Sequence, residues 1–298
     1  MNNIIEVKNL TKSYGDITAI NDINFSVEEG KIYGLLGRNG AGKTTIMNMI
    51  TAQLFPTSGE IKVFGESPYE NHSVLSQICF IKESQKYPDT FRIIDVLDLC
   101  SSFFKNWDQE YAYSLIEDFR LPIKRRIKKL SRGMLSSVGI VVGLASRAPL
   151  TIFDEPYLGL DAVARTMFYD RLLEDFGMYP RTVILSTHLI DEVSKLLEHV
   201  LVINEGKLII NEEADAIRGR AFSVVGPSEK VDSFTVGKEI LKRESIGSLV
   251  STTVMEELNL KTRIQAEELG LEITPVSMQQ LIIHLTDGKS HRKAVINK

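Results

Sequence analysis

Residues 37–45 read GRNGAGKTT and constrain the fold more tightly than any other stretch of the chain. They follow the apolar run KIYGLL at 31–36 and precede MNMI at 47–50, where a helical pattern resumes, so they join a strand to a helix. Glycines 37, 40 and 42 let the backbone turn tightly enough for successive N–H groups and the helix N-terminus to converge. That convergence of partial positive charge suits an anion, and the spacing G-x-x-x-x-G-K-[ST] is that of a phosphate-binding loop. In such a loop Lys43 reaches the β- and γ-phosphates of a nucleotide and Thr44 holds Mg²⁺. Gly37, Asn39, Gly40, Gly42 and Thr45 complete the expected nucleotide-binding set.

A phosphate-transferring site also needs carboxylates, and LTIFDEP at 150–156 ends an apolar run with two of them. Asp154 is expected to bind Mg²⁺, directly or through water, and Glu155 to polarise the attacking water. Thr187 and His188, after the apolar run TVILS, sit at the carboxyl end of another strand, where sites form in α/β sheets. Taken alone, His188 is more often explained by a structural role.

Of 298 residues, 43% are hydrophobic and 25% charged, a globular composition with room for a large domain and a smaller one. Net charge is −4, from 35 Lys and Arg against 39 Asp and Glu, so no general field favours a nucleic-acid partner. Arg125, Arg126, Lys128, Lys129 and Arg132 form a local basic run without interleaved aromatics that could stack on bases. A solvated face or a surface near an anionic leaflet accounts for it. Cys79 and Cys100 lack metal-ligand spacing and are too few for a disulfide framework, which fits a reducing cytosol. The segment MNNIIEVKNL has no apolar run of the signal-peptide kind, and no 18-residue apolar stretch occurs, so any membrane passage is expected of another chain.

The runs IIEV, KIYGLLG, LTIFD, TVILST and VLVIN alternate with longer amphipathic segments, the pattern of an α/β sheet. Between 83 and 147 the periodicity is helical instead, with Ile94, Leu97 and Cys100 spaced along one segment and Asp108 placed to cap the helix carrying Tyr111 and Leu115. Beyond GKLII at 206–210 the segments AFSVVG, SLVSTTV and LEITPVSMQQLIIHL predict a small α+β unit, with the boundary near Gly219. The expected domains are thus 1–218 and 219–298, the final DGKSHRKAVINK being a loose tail.

Taken in order, the phosphate loop, LSRGM at 130–134, LTIFDEP, GLD at 159–161 and STHLIDEV at 186–193 resemble the ATPase subunit of an ABC transporter, over residues 4 to about 210. The resemblance implies a P-loop NTPase core with an antiparallel β-subdomain and a helical subdomain. It also implies ATP and Mg²⁺ as cofactors, and closure of two such domains head to tail over two ATP molecules. Tyr14 then matches the aromatic that stacks on adenine, although an exposed turn tyrosine is an ordinary alternative. Asp161 matches the residue that communicates between the two sites, and His188 the histidine that contacts the γ-phosphate. Ser131, Arg132 and Gly133 occupy the signature that faces the partner's nucleotide.

The chain departs from the family pattern at three positions. Glu83, in ICFIKESQKYP, stands where the family has a glutamine that senses Mg²⁺, counted from the preceding strand; in a shifted register Gln85 takes that place. Glu83 can still accept a hydrogen bond from metal-bound water but brings negative charge to the phosphates. Arg132 replaces the first glycine of LSGGQ, which requires a negative φ, and Met134 replaces the glutamine. Ser131 and Gly133, which carry the recognition chemistry, are retained.

The implied function is the ATP-hydrolysing subunit of a transporter whose permease is a separate transmembrane chain. It pairs with a second copy or with a different ABC ATPase, and is held on the cytoplasmic face of the membrane. Segment 83–147 would receive the permease, with Tyr87 and Phe91 as groove or core residues. Soluble relatives acting on DNA or ribosomes carry a coiled-coil insertion or a second ATPase domain, and neither is present. A non-hydrolysing regulatory module is disfavoured by Glu155. The strings around Glu83 and from Lys128 to Arg165 are similar to ATPases of Gram-positive exporters linked to GntR-type regulators, which implies export of amphipathic peptides or drugs.

Overall fold

A computed structural model describes residues 2–286 apart from Ser84, so the expected C-terminal tail lies outside the described residues. The chain divides into two compact units, residues 1–188 with 196–211 and residues 189–195 with 212–298.

The first unit holds two sheets. Strands β1 (Asn3–Tyr14), β2 (Ile17–Glu28) and β4 (Ser58–Val63) form an antiparallel sheet in the order β2-β1-β4. The other sheet has the order β5-β6-β7-β3-β8-β9. Its strands are β3 (Ile32–Leu36), β5 (Ile78–Ile81), β6 (Leu150–Asp154), β7 (Thr182–Thr187), β8 (His199–Asn204) and β9 (Lys207–Glu213), with β5 to β8 and β3 joined in parallel. Every residue of β3, β6 and β7 is buried. This is why those segments read as largely apolar runs rather than alternating ones, as parallel strands covered on both faces do.

Helix α1 (Lys43–Ile50) lies in the core shared by the two sheets. Its Ile46, Met47, Met49 and Ile50 join one cluster with Ile5, Val7, Ile20 and Ile61 from the antiparallel sheet and Ile152, Ile184 and Leu201 from the parallel one. The short α2 (His72–Leu75) follows β4.

Segment 83–147 supplies α3 (Ile93–Phe103), α4 (Gln109–Asp118) and α5 (Arg132–Ala145), as the helical periodicity predicts. The register differs on α3, whose buried face is Ile93, Val96, Leu97 and Cys100, with Ile94 only half-buried. A stripe of i, i+3, i+4 and i+7 follows the 3.6-residue turn, whereas steps of three drift off the face. Asp108 caps α4 as expected, its Oδ1 accepting from the Tyr111 N–H at 2.8 Å. The Tyr87 hydroxyl is buried and its pKa is pushed up by that burial, while Phe91 is half-buried. The basic side chains of 125–132 are all exposed.

One buried ionic network braces this unit. Asp175, on α6 (Ala162–Met178), is fully buried and accepts from Arg181 at 2.6 Å and Arg147 at 3.1 Å. Arg147 also pairs with Asp108 at 2.7 Å and stacks its guanidinium 3.4 Å from the centroid of Tyr179. The cap of α4, the end of α5, α6 and the entry to β7 are thereby tied through two carboxylates.

In the second unit the four-stranded antiparallel sheet has the order β11-β12-β10-β13. Its strands are β10 (Phe222–Gly226), β11 (Ile240–Ile246), β12 (Leu249–Val254) and β13 (Glu272–Pro275). Helices α9 (Ser228–Thr235) and α10 (Leu260–Glu268) contribute Val231, Phe234 and Ala266 to its core with Phe222, Val224 and Val254. Helix α7 (Ile190–Val193) belongs here because Asp191 accepts from Ser277 Oγ at 2.9 Å and from Gln279 N–H at 3.1 Å, the latter on α11 (Met278–Thr286). Glu212, which precedes α8 (Ala214–Ile217), pairs with Arg220. These contacts place the division at 211–212, before the change in composition near Gly219, and draw 189–195 into the second unit.

Replacing Asp175 with alanine leaves the buried Arg181 without its carboxylate and the half-buried Arg147 with Asp108 alone. Asp175→Ala is expected to lower the unfolding free energy by about 3–5 kcal/mol in urea denaturation. A loss below about 1 kcal/mol, the range of an exposed pair, would show that the network is solvated.

Candidate nucleotide site

The phosphate loop connects β3 to α1, so burial of that helix fixes where its first N–H groups converge. Gly42, which precedes the helix, has φ +113°, and a Cβ there would lie 2.4 Å from Ile20 Cδ1 and 3.0 Å from the Ala19 carbonyl oxygen. The motif glycine is therefore demanded by both backbone conformation and close approach. Lys43 is 6% exposed, and its ammonium donates to the Gly37 carbonyl at 2.8 Å and the Arg38 carbonyl at 3.3 Å. Burial pushes the Lys43 pKa down, and the carboxylates of Glu155 and Asp154 oppose that shift.

A cavity of about 300 Å³ is lined by Asn39, Gly40, Gly42, Lys43, Thr44 and Thr45 from the loop, by Ala19, and by Glu83, Asp154 and Glu155. The carboxylates come from two parallel strands whose carboxyl ends meet here, β5 for Glu83 and β6 for Asp154. Thr44 Oγ1 donates to Asp154 Oδ2 at 2.9 Å. That hydroxyl and carboxylate fit Mg²⁺, a hard cation that takes one or two carboxylates, keeps several waters and completes its shell with substrate phosphates. Among the described residues no cluster of three or more His, Cys, Asp or Glu could hold a metal by itself.

Glu155 follows at φ +49°, an uncommon conformation for a non-glycine residue, with its N–H donating to the Ser186 carbonyl at 3.0 Å. Its Oε1 lies 3.9 Å from Lys43 Nζ and accepts no hydrogen bond, while its Oε2 lies 2.9 Å from His188 Nδ1. A carboxylate only accepts, so that contact places the imidazole proton on Nδ1. Tyr157 was not among the expected residues. It is 3% exposed, and its hydroxyl contacts Glu155 Oε2 and lies 3.1 Å from His188 Nδ1. The only sequence signal for it is a hydroxyl-bearing side chain two places after Glu155 in DEPY, which has no periodicity to mark it.

The two alternatives at the metal-sensing position separate in the structure. Glu83 lines both the phosphate-loop cavity and a neighbouring one of about 280 Å³, whereas Gln85 lines the neighbouring one, with Ser136 and Pro156, and not the phosphate-loop cavity. Glu83 Oε1 pairs with Arg132 Nη2 at 3.1 Å. Arg132, the first residue of α5, is not among the residues with positive φ, so its helical backbone tolerates a side chain in place of the family's glycine. Ser131 caps the helix, accepting from the Met134 N–H at 3.2 Å. Gly133 packs against Gly159, whose carbonyl oxygen would lie 2.4 Å from an added Cβ. Asp161 caps α6, accepting from the Ala164 N–H at 2.8 Å. Tyr14, at the end of β1, is 50% exposed and outside the cavity lining, with Lys12 Nζ 5.0 Å from its ring centroid.

Comparison with known proteins agrees with this geometry. The ABC transporter family model matches residues 20–158. The chain is 34% identical over 296 residues to the bacitracin transport ATP-binding protein BcrA of Enterococcus faecalis, covering 91% of this chain and 95% of that one. It is 30% identical to the lantibiotic transport ATP-binding protein SrtF of Streptococcus pyogenes, over 71% of this chain and 92% of the relative. Among solved structures, an ATP-binding subunit of an ABC transporter superposes with TM-score 0.65 at 27% identity, covering 72% of this chain and 91% of that one. A dimeric bacterial ABC transporter cassette shares the fold, with TM-score 0.63 at 22% identity, over 70% of this chain and 98% of that one. The chain belongs to the ATP-binding proteins of ABC transporters, and its class is an ATPase with a P-loop NTPase fold. Among the described residues no helix is long and apolar enough to cross a membrane.

Lys43→Ala removes the one ammonium at the loop's centre and is expected to abolish ATP binding in a fluorescent-nucleotide titration. Unchanged affinity would remove the loop from the nucleotide site.

Proposed function

We propose that this chain hydrolyses ATP as the motor subunit of an exporter of amphipathic peptides or peptide antibiotics, acting on a separate membrane permease. The observation that supports the chemistry best is the convergence of Lys43, Thr44, Asp154 and Glu155 on one cavity. In this reading Lys43 and the loop amides bind the β- and γ-phosphates, and Thr44 and Asp154 hold Mg²⁺ with Glu83 beside them. When bound, Mg²⁺ supplies charge neutralisation at the phosphate oxygens. Glu155 takes a proton from water as the water oxygen attacks the γ-phosphorus. The bond from that phosphorus to the β–γ bridging oxygen breaks, leaving ADP and inorganic phosphate. Tyr14 stacks on adenine from its exposed position, and His188 contacts the γ-phosphate through Nε2, the ring nitrogen that Glu155 does not engage, which donates to a phosphate oxygen when the ring carries both protons.

The signature completes the site in a partner chain. Ser131 Oγ accepts from its own helix and keeps its O–H to donate to a γ-phosphate, and Gly133 offers one of the first N–H groups of α5, which have no partner within the helix. Asp161 follows the catalytic strand β6 in sequence, at the cap of α6, and links the two sites. The dimer is held at the cytoplasmic face of the membrane by the permease, which docks on segment 83–147.

The cargo is argued from similarity. Two relatives are named for bacitracin transport and lantibiotic transport, and the segments around Glu83 and the signature resemble those of GntR-linked Gram-positive exporters, the staphylococcal phenol-soluble modulin exporter among them. The E. faecalis match covers 91% of the chain, which takes in most of 212–298 and supports reading the C-terminal unit as an accessory that this relative also carries.

Glu155→Gln is expected to keep ATP affinity while phosphate release falls about 10²- to 10⁴-fold. The same variant, followed by light scattering, is expected to double its mass with Mg-ATP. Near-normal turnover would refute the assigned base, and a persistent monomer would refute the pairing of identical chains.

A further inference from the structure

The Tyr157 hydroxyl is held from two sides. It accepts from Thr187 Oγ1 at 2.8 Å and from the His188 N–H at 3.2 Å, both at the carboxyl end of β7. With two donors directed at its oxygen, its single proton is left for Glu155 Oε2, which it contacts directly. The ring packs edge-on against the His188 imidazole, with centroids 5.8 Å apart at 61°. The phenol is buried at 3% exposure, and burial together with the neighbouring carboxylate raises its pKa, which favours the protonated hydroxyl as a donor. Glu155 therefore has unlike oxygens. Oε2 is engaged by Tyr157 and His188, while Oε1 accepts no hydrogen bond and faces Lys43 at 3.9 Å.

We propose that Tyr157 is a positioning residue that ties Glu155 Oε2 to the end of β7 and thereby presents Oε1 to the attacking water. This rests on the reading of Glu155 as general base. The proton leaving the water is received by Oε1, and Tyr157 neither gains nor loses one. The Glu155 backbone, at φ +49°, is in a conformation that local sterics disfavour and that persists where surrounding contacts hold it. Because the phenol bridges β6 and β7, the base and His188 are set by one group and hold their mutual geometry.

Tyr157→Phe keeps the ring and removes the hydroxyl. Steady-state phosphate release by the purified full chain is expected to show kcat lowered about 10- to 100-fold, the scale of a small misplacement of a reacting group, with KM for ATP within about twofold of the parent. The thermal midpoint should fall by only about a few degrees, the cost of taking one buried acceptor from Thr187 Oγ1 and the His188 N–H. In the Glu155→Gln background the same substitution should have no further effect on kcat, since groups acting as a unit are not additive. An unchanged kcat in Tyr157→Phe beside a slow Glu155→Gln would overturn the positioning role and leave the base in place. Near-normal turnover in Glu155→Gln would instead remove the reading on which the role rests. A larger fall in thermal midpoint with KM raised alongside, or an additive effect in the double variant, would mark Tyr157 as structural and refute the proposal.

Discussion

Ile46, Met47, Met49 and Ile50 take α1 out of water between two sheets, and most of the catalytic geometry depends on that burial. A helix of this length is marginal alone, since nucleation costs more than a few backbone hydrogen bonds return. Apolar area removed from water, at about 25 cal/mol per Å², is what holds it. Because the phosphate loop is the linker between β3 and α1, fixing both neighbours fixes the direction of its amides before any phosphate arrives. Gly42 is the position where that arrangement leaves no room, with Ile20 and Ala19 of the antiparallel sheet closing on its Cα.

Electrostatics then set the remaining side chains. Lys43 is buried and would lose much of its hydration without compensation, so it donates to two loop carbonyls and sits near Glu155 and Asp154. A triphosphate offers the same ammonium stronger acceptors, and the two carbonyls are the ground state that nucleotide must displace. The acidic residues owe their position to parallel pairing, since β5, β6 and β7 end at one edge and place Glu83, Asp154, Glu155 and Thr187 around it.

What sequence made legible was what one local rule could carry. The strand, loop and helix around 37–45, the capping of α4 by Asp108 and the buried strands all follow from short-range pattern. The α3 face required the choice between Ile93 and Ile94, which differ by one step of the helix and are equally apolar, so packing against the rest of segment 83–147 had to decide. The assignment of 189–195 to the second unit rests on Asp191 meeting residues near 278, a contact far along the chain. Tyr157 was hidden for the same reason. Its partners on β7 lie about thirty residues away, and nothing in DEPY says that the ring turns inward toward them. Gly133 and Ser131 were legible as family positions, yet their packing against Gly159 and their capping role needed coordinates.

Glu83 and Arg132, two of the positions where the chain departs from the family pattern, meet in one ion pair at 3.1 Å. Taken singly, the first adds negative charge to a cavity that must receive a polyphosphate, and the second adds bulk where the family has a glycine. The pair is exposed, with the two side chains 68% and 48% accessible, so its contribution to stability is about 0–1 kcal/mol. Its effect is on the field inside the cavity. A guanidinium in contact with the carboxylate turns an isolated charge into a dipole, whose potential at the phosphates falls off faster with distance than that of the charge alone. The chain can therefore carry a third carboxylate beside Asp154 and Glu155 without repelling nucleotide by a full additional charge. The cation of this pair is the residue that follows the α5 cap, so the position of that helix sets the distance between the two charges.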